Sequence, residues 1–298
     1  MWKGLKTVVN YNEKKSTPDI NFDLNELNKF YARFDAFDFS KEIDEQKEKL
    51  STISNCENEC DEIVFTERQV KNEFRKINER KACGPDVGKY QLIYFQVRGR
   101  CESIRLLLND NGIDYEETNC GPREKWIKDY KPQMAFGQVP CLKDGDLSLV
   151  QSNAILRYLA RKHGLYGSSD VEATMIDILS DGVEDLRKQY TMMIYKNYEA
   201  GKDDFITTTL PEQLPYFENF LKKHGDQQSG YSVGQKQSFV DYNLMDLLDA
   251  LQTLSSTCLD NYPTLASFLK VNLAKPNIAK YRETEPFKTR SINGNGKQ

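Results

Sequence analysis

The 298 residues carry 41 Lys and Arg against 45 Asp and Glu, a net charge of −4, and 39% of them are hydrophobic. That balance argues against nucleic-acid binding by bulk electrostatics and leaves enough apolar residues for a substantial core in about two domains. No apolar run reaches membrane-span length, and Met1-Trp2-Lys3-Gly4 leads into polar sequence instead of a signal peptide, so no membrane association and a cytoplasmic location are expected.

In the first 88 residues, helical spacing predicts segments over 23–30 and 66–80. In the second, Thr66-Glu67 opens the helix, and Val70, Phe74 and Ile77 recur on one face. Between them, 41–62 is charged and poor in apolar residues, a solvated helix or a disordered tether. Cys56-Glu57-Asn58-Glu59-Cys60 pairs two thiols, but without a second pair it reads as part of this charged segment and not as a metal site. Asn28-Lys29-Phe30-Tyr31-Ala32-Arg33-Phe34-Asp35 and Lys81-Ala82-Cys83-Gly84-Pro85-Asp86 resemble the region leading into the reverse transcriptase of a non-LTR retrotransposon. Two-metal nucleotidyl transfer needs clustered carboxylates, and no Tyr-x-Asp-Asp hairpin occurs in the sequence. Polymerase activity is therefore excluded, and residues 1–88 read as a transposon-derived extension that is partly helical or disordered.

From Lys89 the pattern becomes regular. Strands are predicted at 90–95, 115–119, 139–143 and 147–150, helices at 100–111 and 152–163, and an irregular helical stretch around Trp126. Parallel strands joined by a helix, then a hairpin at Asp144-Gly145, give a compact α/β unit over 89–166. Residues 172–298 read as all-helical. Met175, Ile178 and Leu179 are spaced for one face, followed by an amphipathic stretch over 181–198. Ser238-Phe239-Val240-Asp241 resembles a capping box ahead of an apolar helix at 242–254, and Pro263 and Pro276 stand where later helices would begin.

Two places in this half carry chemistry. A helix opened by Ser152 presents unpaired backbone N–H groups and a positive dipole end, both favourable to a carboxylate, and Gln151-Ser152 can add side-chain donors. Upstream, Tyr94 ends a strand beside the basic loop Arg98-Gly99-Arg100. Together they suggest a site for an acidic peptide. Plainer readings remain open for the same residues: a half-buried strand tyrosine, a strand end and an N-cap, a solvated helix charge at Asp185, a surface aromatic at Trp126. Seven cysteines without a CxxC pair read as reduced thiols. With His163 and His224 the only histidines, neither a Ser-His-Asp triad nor a His-rich metal site is supported, and no metal is expected.

Tyr94-Phe95-Gln96-Val97-Arg98-Gly99-Arg100-Cys101, Asp144-Gly145-Asp146-Leu147 and Gln151-Ser152-Asn153-Ala154-Ile155-Leu156-Arg157 resemble the pi class of cytosolic glutathione transferases. So do Asp181-Gly182-Val183-Glu184-Asp185-Leu186-Arg187, Tyr198-Glu199-Ala200-Gly201-Lys202-Asp203-Asp204 and the terminal Ile292-Asn293-Gly294-Asn295-Gly296-Lys297-Gln298. The resemblance runs from about Lys89 to the last residue. It implies an α/β thioredoxin-like domain followed by an all-α domain, glutathione as co-substrate, hydrophobic electrophiles as partners, and a homodimer.

By the same resemblance, Tyr94 donates a hydrogen bond to the glutathione sulfur. Arg100, Trp126 and Lys131 meet the glycine end of the tripeptide, although placing Lys131 requires a one-residue gap before Gln138. Gln138 and a cis Val139-Pro140 bond engage its backbone; read without the family, that bond would be expected trans. Gln151 and Ser152 receive the γ-glutamyl carboxylate, and Asp185 reaches the amino group from the partner subunit. Phe95, Val97, Thr191 and Tyr195 line the electrophile site, and Phe136 is the aromatic key that inserts into the partner. The chain departs from the pattern at Thr191 and Gln96, where an apolar residue and a proline are usual, and at Met134, which replaces a reactive cysteine. A competing reading is a ligand carrier or signalling scaffold on the same fold; Tyr94, Gln151 and Ser152 argue against lost catalysis.

Overall fold

Leu92, Ile93 and Tyr94 follow one another without a polar break because both faces of their strand are covered. The computed structural model describes residues 89–226 and 228–298. The helices expected at 23–30 and 66–80, the charged stretch 41–62, the Cys56 and Cys60 pair and the retrotransposon-like motifs lie outside the described residues.

β1 (Tyr90–Tyr94) pairs in parallel with β2 (Tyr115–Asn119) and antiparallel with β3 (Cys141–Asp144), which turns back into β4 (Leu147–Val150). The sheet order is β2-β1-β3-β4, in keeping with the thioredoxin-like domain that the family resemblance implies. On one face Tyr90, Leu92 and Tyr94 join the core formed with α1 (Glu102–Asp110) and α2 (Ser152–His163). On the other, Ile93 packs with Cys120, Met134 and Cys141 beneath an irregular run of short α, π and 3₁₀ turns over 123–133.

The described residues after the sheet domain form α3 (Asp170–Lys196), α4 (Tyr198–Asp204), α5 (Leu210–His224), α6 (Phe239–Leu254), α7 (Pro263–Leu273), α8 (Pro276–Arg282) and α9 (Glu285–Thr289). Thirteen of the 16 residues of α6 are buried. Its first turn is fixed by the fully buried Asp241 carboxylate, which accepts the Ser238 N–H at 2.7 Å and the Ser232 N–H at 2.8 Å. Pro263 and Pro276 open α7 and α8, as their fixed φ favours. The sheet domain is tied to the helices by polar bonds: the Tyr242 hydroxyl donates to Asp110 and that of Tyr281 to Glu102, each at 2.8 Å. Among the described residues no helix is long and apolar enough to cross a membrane.

Several details differ from expectation. α1 starts at Glu102, because Gly99–Cys101 forms a 3₁₀ turn first. β3 starts at Cys141 and not at 139, since Pro140 has no N–H to give the ladder. Ile178 is exposed, not on the buried face of α3. That face is marked by Ile176, Leu179, Val183, Leu186 and Tyr190, and Ile178 sits about 100° from Leu179 around the helix.

Candidate active site

Tyr94 closes β1, and its carbonyl accepts the Cys120 N–H at 3.0 Å, so the strand's last residue is held by β2's continuation. The chain then turns back under the phenol. Gly99 makes this possible twice over: its φ is +45°, and a Cβ there would lie 2.5 Å from the Tyr94 hydroxyl oxygen. With no side chain in the way, the Arg100 N–H donates to that oxygen at 3.1 Å. The loop is held from both sides. Buried Arg105 donates to the carbonyls of Val97 (2.9 Å) and Arg98 (3.3 Å), while the N–H groups of Arg98 and Gly99 donate to Ser291 and Ile292 of the tail at 2.9 and 3.0 Å. Burial pushes the Tyr94 phenol well above its ordinary pKa. Like any phenol the hydroxyl is protonated at neutral pH, and burial reinforces this, leaving its proton available to donate.

The facing wall is the start of α2. Gln151, not Ser152, occupies the N-cap position: its carbonyl accepts the Ile155 N–H at 3.0 Å, and it makes no side-chain cap bond. Ser152 is the first helical residue and is buried, so its expected capping role is corrected. Gln151 has φ +73°, the one positive value at a non-glycine among the described residues, and its amide donates to Gln138 at 3.2 Å. A backbone forced out of the allowed regions at a helix entry is a frequent mark of a functional site.

Between these walls lies a cleft of about 450 Å³. Tyr94, Phe95, Arg100, Trp126, Gln138, Val139, Pro140, Gln151 and Ser152 all line it. Val139-Pro140 is cis, as the family resemblance implied, and Gly121-Pro122, which sequence reading did not single out, is cis as well. Phe95 packs edge-to-face on Trp126, centroids 5.6 Å apart.

Glu184 of α3 also lines the cleft, and sequence reading missed it. Its carboxylate accepts from Arg100 Nη1 at 2.7 Å and from Asn153 Nδ2 at 3.4 Å. Its neighbour Asp185, which the family resemblance assigns to the site of a second subunit, is exposed in this chain and pairs with Lys188 at 3.3 Å. Lys131 does not line the cleft, although a Cβ built on Gly137, which does, would sit 3.3 Å from Lys131 Cε. Val97, Thr191 and Tyr195 stand outside the lining as well. The Thr191 hydroxyl donates back to the Arg187 carbonyl at 2.7 Å, and that of Tyr195 accepts the Gly294 N–H at 2.8 Å. Phe136 is 69% exposed.

Two buried cysteines near the site are held as thiols. Burial pushes the Cys101 thiol up to about 12 and that of Cys120 up to about 11, so neither forms a thiolate at neutral pH. Among the described residues no group of three or more His, Cys, Asp or Glu is placed to hold a metal ion.

A thioredoxin-like sheet with a cis-proline cleft, a phenol at the end of β1, a helix N-terminus opposite and an all-helical second domain define the glutathione transferase architecture. Residues 90–161 match the glutathione S-transferase N-terminal domain and residues 184–285 the C-terminal domain. The chain is 46% identical to glutathione S-transferase P 1 of Bufo bufo, over 70% of this chain and 99% of that protein. It is 43% identical to glutathione S-transferase P of Homo sapiens, again over 70% and 99% of the two chains. The solved pi-class glutathione S-transferase of Onchocerca volvulus superposes with a TM-score of 0.68 at 41% identity, covering 71% of this chain and all of that one. The protein belongs to the pi-class glutathione S-transferases.

Proposed function

We propose that this transferase conjugates glutathione to hydrophobic electrophiles, with Tyr94 holding the sulfur as thiolate and the cleft holding the tripeptide. The observation that carries the reading is the Tyr94 hydroxyl. It is kept protonated by burial, already accepts the Arg100 N–H, and borders the cleft opposite the α2 N-terminus. A donor aimed at sulfur favours the anion over the thiol and lowers the thiol's pKa. The thiol proton leaves to solvent, and the sulfur forms a bond to the electrophilic carbon. In aromatic substitution the leaving group departs; in addition the adjacent carbon takes up a proton.

The residues present fit a tripeptide with a carboxylate at each end and one ammonium. The unpaired N–H groups at the start of α2, with Gln151 and Ser152, suit the γ-glutamyl carboxylate. Glu184 and, from a second subunit, Asp185 suit the ammonium. Val139-Pro140 and Gln138 offer backbone-style contacts, Trp126 and Lys131 suit the glycine carboxylate, and Arg100, already paired with Glu184 at 2.7 Å, suits a charge-assisted contact. Phe95 forms the floor of the electrophile site, with Val97, Thr191 and Tyr195 extending it. The Thr191 hydroxyl is already spent on Arg187, so its methyl is what it contributes.

Replacing Ser152 by Ala tests the carboxylate assignment. The KM for glutathione should rise about tenfold, the size of one lost charge-assisted hydrogen bond, with kcat little changed. An unchanged KM would reject the assignment of that end of the tripeptide.

The protein acts as a homodimer in the cytoplasm on this reading. Phe136 is a large exposed ring beside the cleft-lining Gly137, and Ile178 is exposed on α3; both suit burial by a second copy. Phe136→Ser should halve the mass seen by sedimentation and raise the KM for glutathione, because Asp185 of the partner is withdrawn. A variant that stays dimeric would remove Phe136 from the interface.

The extension over residues 1–88 is read as transposon-derived, the thioredoxin-like domain as 89–166, and the helical domain as 172–298.

A further inference from the structure

We propose that Asp249, in the helical domain, is a positioning residue: its carboxylate holds Arg98, and through Arg98 the loop that presents the Arg100 N–H to the Tyr94 hydroxyl. The inference rests on the role proposed for Tyr94. Asp249 Oδ2 accepts from Arg98 Nη1 at 3.1 Å and from Arg282 Nη1 at 2.8 Å, while Oδ1 accepts from Arg282 Nη2 at 3.2 Å. The Phe287 ring closes the cluster, its centroid 3.9 Å from the Arg98 guanidinium carbon and 4.8 Å from that of Arg282. The Arg98 and Asp249 side chains are only 16% and 17% exposed, and Arg98 Nε is buried without a partner. Two cations thus share one carboxylate largely out of water, where their mutual repulsion is strong if the anion is removed.

Arg98 also belongs to the loop by its backbone. Its N–H is bound to Ser291, its carbonyl to Arg105, and two residues on the Arg100 N–H meets Tyr94. Asp249 itself does not line the cleft. A carboxylate in α6 therefore sets the geometry of a donor pair in the sheet domain without touching substrate. Asp249→Asn keeps the shape and removes the charge. The two guanidiniums then push apart, Arg98 moves off, and the Arg100 N–H no longer polarises the Tyr94 hydroxyl.

The test titrates the ultraviolet absorbance of the bound glutathione thiolate against pH, in the full chain and its variants. Asp249→Asn should still saturate with glutathione, but its midpoint should move up by about one pH unit, leaving about tenfold less thiolate below it. Arg98→Met should do the same and carries the test if Asp249→Asn does not fold. Asp249→Glu and Arg282→Leu should stay near the parent, since each keeps the Arg98 counter-charge. Parental midpoints in both Asp249→Asn and Arg98→Met, with only a lower melting temperature, would overturn the proposal. A parent whose bound thiol titrates like free glutathione would instead overturn the role given to Tyr94.

Discussion

Tyr94→Phe is expected to lower kcat/KM for conjugation to an activated aryl chloride about 100-fold at neutral pH, a loss of about 2.7 kcal/mol in transition-state stabilisation. The KM for glutathione should barely change, because the ring, the cis-proline cleft and the α2 N-terminus are untouched. The pH dependence fixes the cause. A hydrogen bond to the thiolate depresses the pKa of the bound thiol, so the parent is active from well below the ordinary thiol range of about 8.5 upward. In Tyr94→Phe the thiol returns toward that range. The deficit should therefore be largest at low pH and shrink as pH rises through the thiol's ordinary pKa. A deficit that is the same at every pH would mean that the hydroxyl serves some later step.

Gly99→Ala should cost nearly as much, by way of the same oxygen. The left-handed φ of +45° penalises any Cβ, roughly 1 kcal/mol for the backbone alone, and the new methyl would collide with the Tyr94 hydroxyl at 2.5 Å. Either the phenol rotates away or the loop lifts from Ser291 and Ile292. The melting temperature should fall by a few degrees and the turnover by one to two orders of magnitude. A double-mutant comparison separates these effects. With the hydroxyl already gone in Tyr94→Phe, adding Gly99→Ala should reduce activity only slightly further, because the atom it displaces is absent. Full multiplication of the two losses would show that Gly99 acts elsewhere.

Much of the sheet domain was legible because its signals are local. The alternation and apolar runs of β1, β2 and β4, the turn at Asp144-Gly145 and the extent of α2 are properties of neighbouring residues, and the structure matches them closely. The cleft residues were legible through motif resemblance: Tyr94, Arg100, Trp126, Gln138, Val139, Pro140, Gln151 and Ser152 converge on one cavity. What escaped depends on rotation or on distant partners. Glu184 lies on the side of α3 that faces the cleft, and no local feature of the sequence marks that side. Ser152 looked like a cap by residue type, yet the sharp turn at Gln151 takes the cap position and leaves Ser152 inside the helix. Ile178 is apolar but unburied within its own chain, a choice that a single-chain periodicity cannot express. The Arg98, Asp249 and Arg282 cluster joins residues about 150 positions apart and has no sequence signature at all.

On the function proposed, the role of the Tyr94 hydroxyl is to stabilise the bound thiolate. A pH titration of thiolate absorbance, on the full chain saturated with glutathione and on Tyr94→Phe, tests it without any electrophile or turnover. The midpoint should lie well below that of free glutathione in the parent and be raised by about two pH units in the variant, matching the 100-fold loss in rate. Equal midpoints in the two proteins would contradict it.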